Sequence, residues 1–109
     1  MIKNTGSLEE KADGRNLTVI LRGEIDHHNA VTFRTGIDRM VCEKRPKKLI
    51  LDLSHIEFMD SSGLGLIMGR YALIQKLGGE MIIRNPSDAV LKICRLAGIG
   101  RLVRIETKA

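Results

Sequence analysis

A chain of 109 residues holds one hydrophobic core and is too short for two domains. With 43% hydrophobic and 28% charged residues it is not a disordered chain, and no stretch approaches the ~20 apolar residues of a membrane span. A net charge of +5 raises the question of nucleic acid, but one Tyr, two Phe and no Trp leave nothing to stack bases on. The only dense basic run, Lys44 to Lys48, reads as a solvated loop.

The first elements are strands. Residues 5–11 suit a short strand, Asp13-Gly14 is a turn signal, and Leu17 to Leu21 is rich in β-formers, so a hairpin is expected, with Gly23 ending its second strand. Asp26 sits where a helix N-cap belongs. Ala30, Phe33, Ile37, Met40 and Val41 then recur at helical spacing, which predicts a helix over about 29–44, broken by Arg45-Pro46. Cys42 and Cys94 fall inside apolar helical patterns without CxxC or metal spacing, so both are expected as buried free thiols in a reducing compartment. The polar beginning, MIKNTGSLEEK, has no signal-peptide core, and the chain reads as cytoplasmic.

Leu49 to Leu53 is a nearly continuous apolar run, as in a strand covered on both faces. FMDSSGLGLI follows, leading into a helix over about 62–77. Met81 to Arg84 is a further strand after Gly78-Gly79. Residues 88–97 form a helix capped by Ser87 and stopped by Gly98, and Leu102 to Ile105 is a last edge strand. The order β-β-α-β-α-β-α-β predicts an α/β fold, a mixed sheet with parallel crossovers and helices packed on it.

The loop after a strand's C-terminal end is where such folds meet ligands and partners. Asp60, Ser61 and Ser62 occupy one such loop, and Gly63 and Gly65 keep the following turn free of bulk. Free N–H groups and the positive end of the helix favour an added negative charge there, so a hydroxyl in that position is a good phosphoacceptor. Read from local sequence alone, Asp-Ser-Ser before a helix is first of all an N-cap. A serine nucleophile served by His27, His28 and Asp26 is a third reading, without the GxSxG elbow. On the helix itself, Leu64, Ile67, Met68, Tyr71 and Ile74 make one apolar stripe. Leu66, Leu73 and Leu77 make another, with Arg70 inside it. That second stripe is either a wide buried face with Arg70 snorkelling at its edge or a partner-facing surface around an Arg anchor.

GEIDHHNA (Gly23 to Ala30), FMDSSGLGLIMGRY (Phe58 to Tyr71) and GGEM (Gly78 to Met81) together resemble the STAS-domain anti-sigma factor antagonists, above all those acting on the sporulation anti-sigma F factor. The resemblance covers nearly the whole chain and implies a single STAS domain over 1–109, with the mixed-sheet fold argued above. It implies a regulator without catalytic residues, metal or cofactor. The implied partner is an anti-sigma factor that is also an ATP-using serine kinase, whose sporulation sigma factor is thereby released. Phosphorylation of the first serine, Ser61, ends the binding, and a serine phosphatase restores it. A related partner-switching regulator of a stress or general anti-sigma kinase is the alternative. By the same resemblance Asp26 lies beside the phosphorylation loop and Arg70 belongs to the partner-facing helix. With the helix-face reading above, the expected partner-binding residues are Asp26, Asp60, Ser61, Ser62, Gly63, Leu64, Leu66, Arg70 and Leu73, with neither nucleic acid nor membrane contacted directly. Two departures stand out: the sequence stops at Ala109, where the resemblance implies a further C-terminal helix, and it is more basic than the family suggests.

Overall fold

The computed structural model describes residues 6–107. The Asp13-Gly14 signal is realised as a hairpin between β1 (Ser7–Asp13) and β2 (Asn16–Ile25), paired antiparallel, with Gly14 at a φ of 62° that glycine adopts without strain. Thr5, the expected start of β1, lies outside the described residues. From there the chain alternates: α1 (Ala30–Lys44), β3 (Lys48–Met59), α2 (Ser61–Lys76), β4 (Glu80–Arg84), α3 (Asp88–Leu96), a 3₁₀ turn (Ile99–Arg101) and β5 (Arg104–Glu106). The sheet runs β1-β2-β3-β4-β5, with every pair after the hairpin parallel. The expected order and mixed sheet are those observed.

Each parallel step advances one strand in the same direction through one helix, and the right-handed preference of such crossovers collects the helices on one face. Phe33, Ile37 and Val41 of α1, Ile67 and Ile74 of α2, and Val90 and Cys94 of α3 share one cluster with alternate strand residues such as Val19, Leu51 and Ile83. Ile20, Ile50 and Ile82 alternate with these and are buried apart from that cluster, as the unbroken apolar run in β3 implied. Cys94 is buried as expected, and its burial pushes the thiol pKa up. Cys42 is exposed instead, because the buried line of α1 runs Phe33-Ile37-Val41 and the next residue turns away from it.

Two strands are longer than expected, for a shared reason. Gly23 does not end β2; at φ 106° it is buried within the strand, which continues to Ile25. Opposite it, β3 carries two extra residues. Ile20 pairs with Asp52 but Arg22 with His55, and Gly23 pairs with Ile56 but Glu24 with Phe58. The first irregularity is pinned by Asp52, whose Oδ1 accepts from the Ser54 backbone N–H at 2.9 Å and its hydroxyl at 2.7 Å. Each added residue shifts the facing by one, so burial after Leu53 recurs every third residue, at Ile56 and Met59, and Phe58 is left 51% exposed. A period of three matches no strand template, which hid the second half of β3.

Turn chemistry closes the crossovers. Arg45 ends α1 in the left-handed conformation (φ 45°), its N–H donating to Val41 O at 2.8 Å. Gly79, after α2, is hemmed in: a Cβ there would lie 2.9 Å from the Lys47 carbonyl, 3.0 Å from that of Pro46 and 3.0 Å from Ile74 Cγ1. Backbone carbonyls yield little, so Gly79→Ala is expected to cost about 1–3 kcal/mol, the usual range for overpacking. At roughly 4–8 °C per kcal/mol for a domain near this size, thermal melting followed by circular dichroism reads it easily. Gly65→Ala, on the open side of α2 where a Cβ meets nothing within 4 Å, should leave the midpoint unchanged or raise it.

Candidate functional site

The ends of β2 and β3 pair at Ile25 and Met59, and the Asp60 N–H donates back to Ile25 O at 3.1 Å. Asp26 and Asp60, the next residues of the two strands, therefore leave the sheet side by side. Asp60 is the N-cap of α2, its Oδ1 accepting from the Ser62 N–H at 2.8 Å and its backbone oxygen from the Gly63 N–H at 2.9 Å. The helix begins at Ser61, one residue earlier than expected. Of the readings open for Asp-Ser-Ser, capping thus belongs to the aspartate. The Ser61 hydroxyl is exposed and makes no side-chain hydrogen bond among the described residues, whereas Ser62 is half-buried. Gly63 is buried, and a Cβ there would collide with Cγ and Sδ of Met59. The close approach of α2 to the end of β3 is what demands a glycine.

Asp26 is not the N-cap of α1. That position is taken by Asn29, without a side-chain cap bond, and Asp26 closes a turn just before it. Its Oδ1 accepts from the backbone N–H groups of His28 (3.0 Å) and Asn29 (2.9 Å). Asn29 is buried and donates from Nδ2 to Glu24 O at 3.0 Å. His27 and His28 are exposed and meet edge to face at 5.6 Å. The carboxylate that a serine nucleophile would need to orient an imidazole is occupied with amides, so no such triad is assembled here.

Along α2 the burial divides the apolar residues differently from the two expected stripes. The buried line runs Gly63, Leu66, Ile67, Arg70, Ile74, between the two stripes rather than along either. Leu66 is only 4% exposed, while Leu64 and Leu73 are half-buried and packed against the core, so none of the three forms an open apolar surface. Arg70 is 7% exposed, with Nε 2.8 Å from Oδ1 of Asp38 on α1. The pair is ionic without being well aligned: Asp38 Oδ1 and Arg70 Nε and Nη1 are all buried without a hydrogen-bond partner. Burial draws the Arg70 guanidinium pKa below its ordinary value; Asp38 opposes this and the charge of Arg34 adds to it.

Asp38 and Arg34 escaped the sequence reading, although one residue type hinted at them. An arginine inside an apolar stripe needs a carboxylate, and Asp38, half-buried next to Ile37, is the one that α1 offers. Between the helices lies a groove of about 370 Å³, lined by Ala30, Val31 and Arg34 from α1 and by Ser62, Gly65, Leu66, Gly69 and Arg70 from α2. It opens one residue from Ser61. Among the described residues no cluster of His, Cys, Asp and Glu is able to hold a metal ion, and no helix is long and apolar enough to cross a membrane.

Residues 7–109 match the STAS domain family, to which the chain therefore belongs, in the group of anti-sigma factor antagonists, regulators rather than enzymes. It is 37% identical over 89 residues to the anti-sigma F factor antagonist of Paenibacillus polymyxa, covering 82% of this chain and 76% of that one. It is 24% identical over 103 residues to the anti-sigma-B factor antagonist of Bacillus subtilis, covering 94% and 93%. Among solved structures, the anti-sigma factor antagonist SpoIIAA in its unphosphorylated form superposes with a TM-score of 0.79 at 29% identity, over 94% of this chain and 90% of that one. The phosphorylated form of the Bacillus cell fate determinant SpoIIAA superposes with a TM-score of 0.71 at 28% identity, over 94% and 93%.

Asp38→Ala should leave Arg70 buried and unpaired. Asp38 is about one-third exposed, so the expected loss is about 1–3 kcal/mol rather than the larger figure for a sealed pair. Arg70→Met in the same chain should recover part of it, and a denaturant-melt double-mutant cycle measures the coupling.

Proposed function

We propose that this chain is a phosphorylation-switched antagonist of an anti-sigma factor. In its unphosphorylated form it binds an anti-sigma factor that is also a serine kinase, so that the sporulation sigma factor held there is released. Phosphorylation on Ser61 ends the binding, and a serine phosphatase reverses it. The observation that carries the reading is the Ser61 hydroxyl, exposed in the first turn of α2 and without a side-chain hydrogen bond among the described residues, where Asp60 already caps the helix. Existence of a relative's structure in a phosphorylated form supports it. The interface proposed here comprises Asp26, Asp60, Ser61, Ser62 and Gly63, together with the edges of Leu64, Leu66, Arg70 and Leu73 that the groove and helix surface leave open.

A phosphate adds ~−1.5 to −2 charges at neutral pH. At a helix N-terminus that charge is tolerated, being favourable by up to ~2 kcal/mol, so the phosphoprotein keeps its fold. Affinity is lost at the interface instead. Two unit charges ~6 Å apart at an effective dielectric of ~20 repel by ~3 kcal/mol, roughly a hundredfold in binding.

Incubation with the kinase and ATP, followed by intact-mass analysis and peptide mapping, is expected to place one phosphate on Ser61. Ser61→Ala should bind the anti-sigma factor and stay unmodified; phosphate on that variant would move the assignment to Ser62. Ser61→Asp should weaken binding while leaving the circular dichroism spectrum intact, and a collapse of helix signal would make the residue structural. Similarity to an anti-sigma-B factor antagonist favours a second reading, in which the partner is a stress-response anti-sigma kinase. Titration against both kinds of anti-sigma factor separates the two by which one binds.

A further inference from the structure

The α1–α2 groove carries one more positive charge than its own side chains neutralise. Arg34 and Arg70 line it from facing helices, and Asp38 is the carboxylate paired there, with Arg70. Arg34 is exposed and has no ion pair or hydrogen bond among the described residues. Arg70 is more than nine-tenths buried, its Nε and Nη1 sealed from solvent without a hydrogen-bond partner among the described residues, and the exposure it keeps borders the groove. Gly65 and Gly69 make an open floor, since a Cβ at either would meet nothing within 4 Å. Unlike the helix N-terminus beside it, this groove is flanked by two guanidinium groups, of which Arg70 is the one paired with a carboxylate.

We propose that the groove receives a single carboxylate side chain, an Asp or Glu of the anti-sigma factor, gripped between Arg34 and Arg70. This deepens the function proposed above and rests on it. The charge selects the ligand: two guanidinium cations less one aspartate leave +1, which a carboxylate cancels and a phosphate dianion exceeds. The shape agrees, because a planar guanidinium offers paired donors that match a carboxylate's two oxygens. Continuity with the Ser61 surface identifies the donor, since Ser62 lines the same groove. The carboxylate enters from the groove side and meets the part of Arg70 that stays exposed there. Phosphate on Ser61 would then stand near the mouth of a groove already holding the partner's own negative charge, giving the repulsion a defined target.

The test is calorimetric titration with the anti-sigma factor, using wild type, Arg34→Gln, Arg34→Glu and Gly69→Leu. Arg34 is exposed, so its variants should melt with the wild type. Arg34→Gln is expected to bind about tenfold more weakly and with a shallower salt dependence. Arg34→Glu should bind about a hundredfold more weakly. Gly69→Leu should weaken binding by filling the floor without touching a charge. An Asp or Glu→Lys replacement at one position of the partner should restore affinity to Arg34→Glu. Wild-type affinity in Arg34→Glu, with Ser61→Asp still impaired, would overturn this inference and leave the proposed function standing. A loss in Arg34→Gln seen only when ATP is present would assign the groove to nucleotide phosphate and overturn it as well. Failure of the wild type to bind would overturn both.

Discussion

A single carboxylate decides how the α2 N-terminus is used. Four amides at the start of a helix lack partners within it, and a serine in the first turn is ordinarily available to satisfy one. Here Asp60 accepts from Ser62, and the backbone oxygen of the same residue accepts from Gly63. Asp60 can do so because its own N–H is held by Ile25 at the end of β2, which fixes where the chain turns off the sheet. The neighbouring Asp26 holds two amides of its own. Both acids are therefore structural in their bonds, and the Ser61 hydroxyl next to Asp60 makes no side-chain hydrogen bond among the described residues.

The site is placed as much by packing as by hydrogen bonding. Met59 is buried at the end of β3 and leaves no room for a side chain at position 63, so the first turn of α2 lies tight against the strand it follows. Farther along, α2 is covered by the sheet on one side and by α1 on the other, and the Arg70–Asp38 pair spans the two helices. Burying an ion pair adds little net stability compared with apolar side chains of similar size. Its physical consequence is directional: the carboxylate facing Arg70 fixes how α1 and α2 approach each other. The groove that opens beside Ser62 is the remaining gap between them.

Most of the fold was legible because its signals were local. Hairpin turn, helix periodicity, the Arg45-Pro46 break and the Gly78-Gly79 stop each act within a few residues, and the β-α alternation then restricts the topology. What escaped depended on partners distant in sequence. Gly23 looks like a strand ending when read alone; its place inside β2 follows from a neighbouring strand with two extra residues. Cys42 has apolar neighbours in sequence but lies just past the buried line of α1. Arg70 reads from the sequence as an anchor or an edge residue, yet its environment is set by Asp38, more than thirty positions earlier on another helix. The motif around Ser61 pointed to a surface site, whereas the division of labour between Asp60 and Ser61 required the hydrogen bonds.

This arrangement constrains the kind of switch the domain can be. The segment before Ser61 is a strand end paired on its neighbour, and the segment after it is a sixteen-residue helix packed on two sides. A phosphate on an exposed hydroxyl there displaces no existing side-chain bond of Ser61 and has the helix dipole in its favour, so it supplies no force to refold either segment. Conformational change needs a differential interaction with two states, and the helix N-terminus that receives the charge is already in the conformation that favours it. Its effect must then fall on whatever docks. On the function proposed above, such a platform would signal by changing what its surface repels, and the same packing that makes it rigid would keep the signal local.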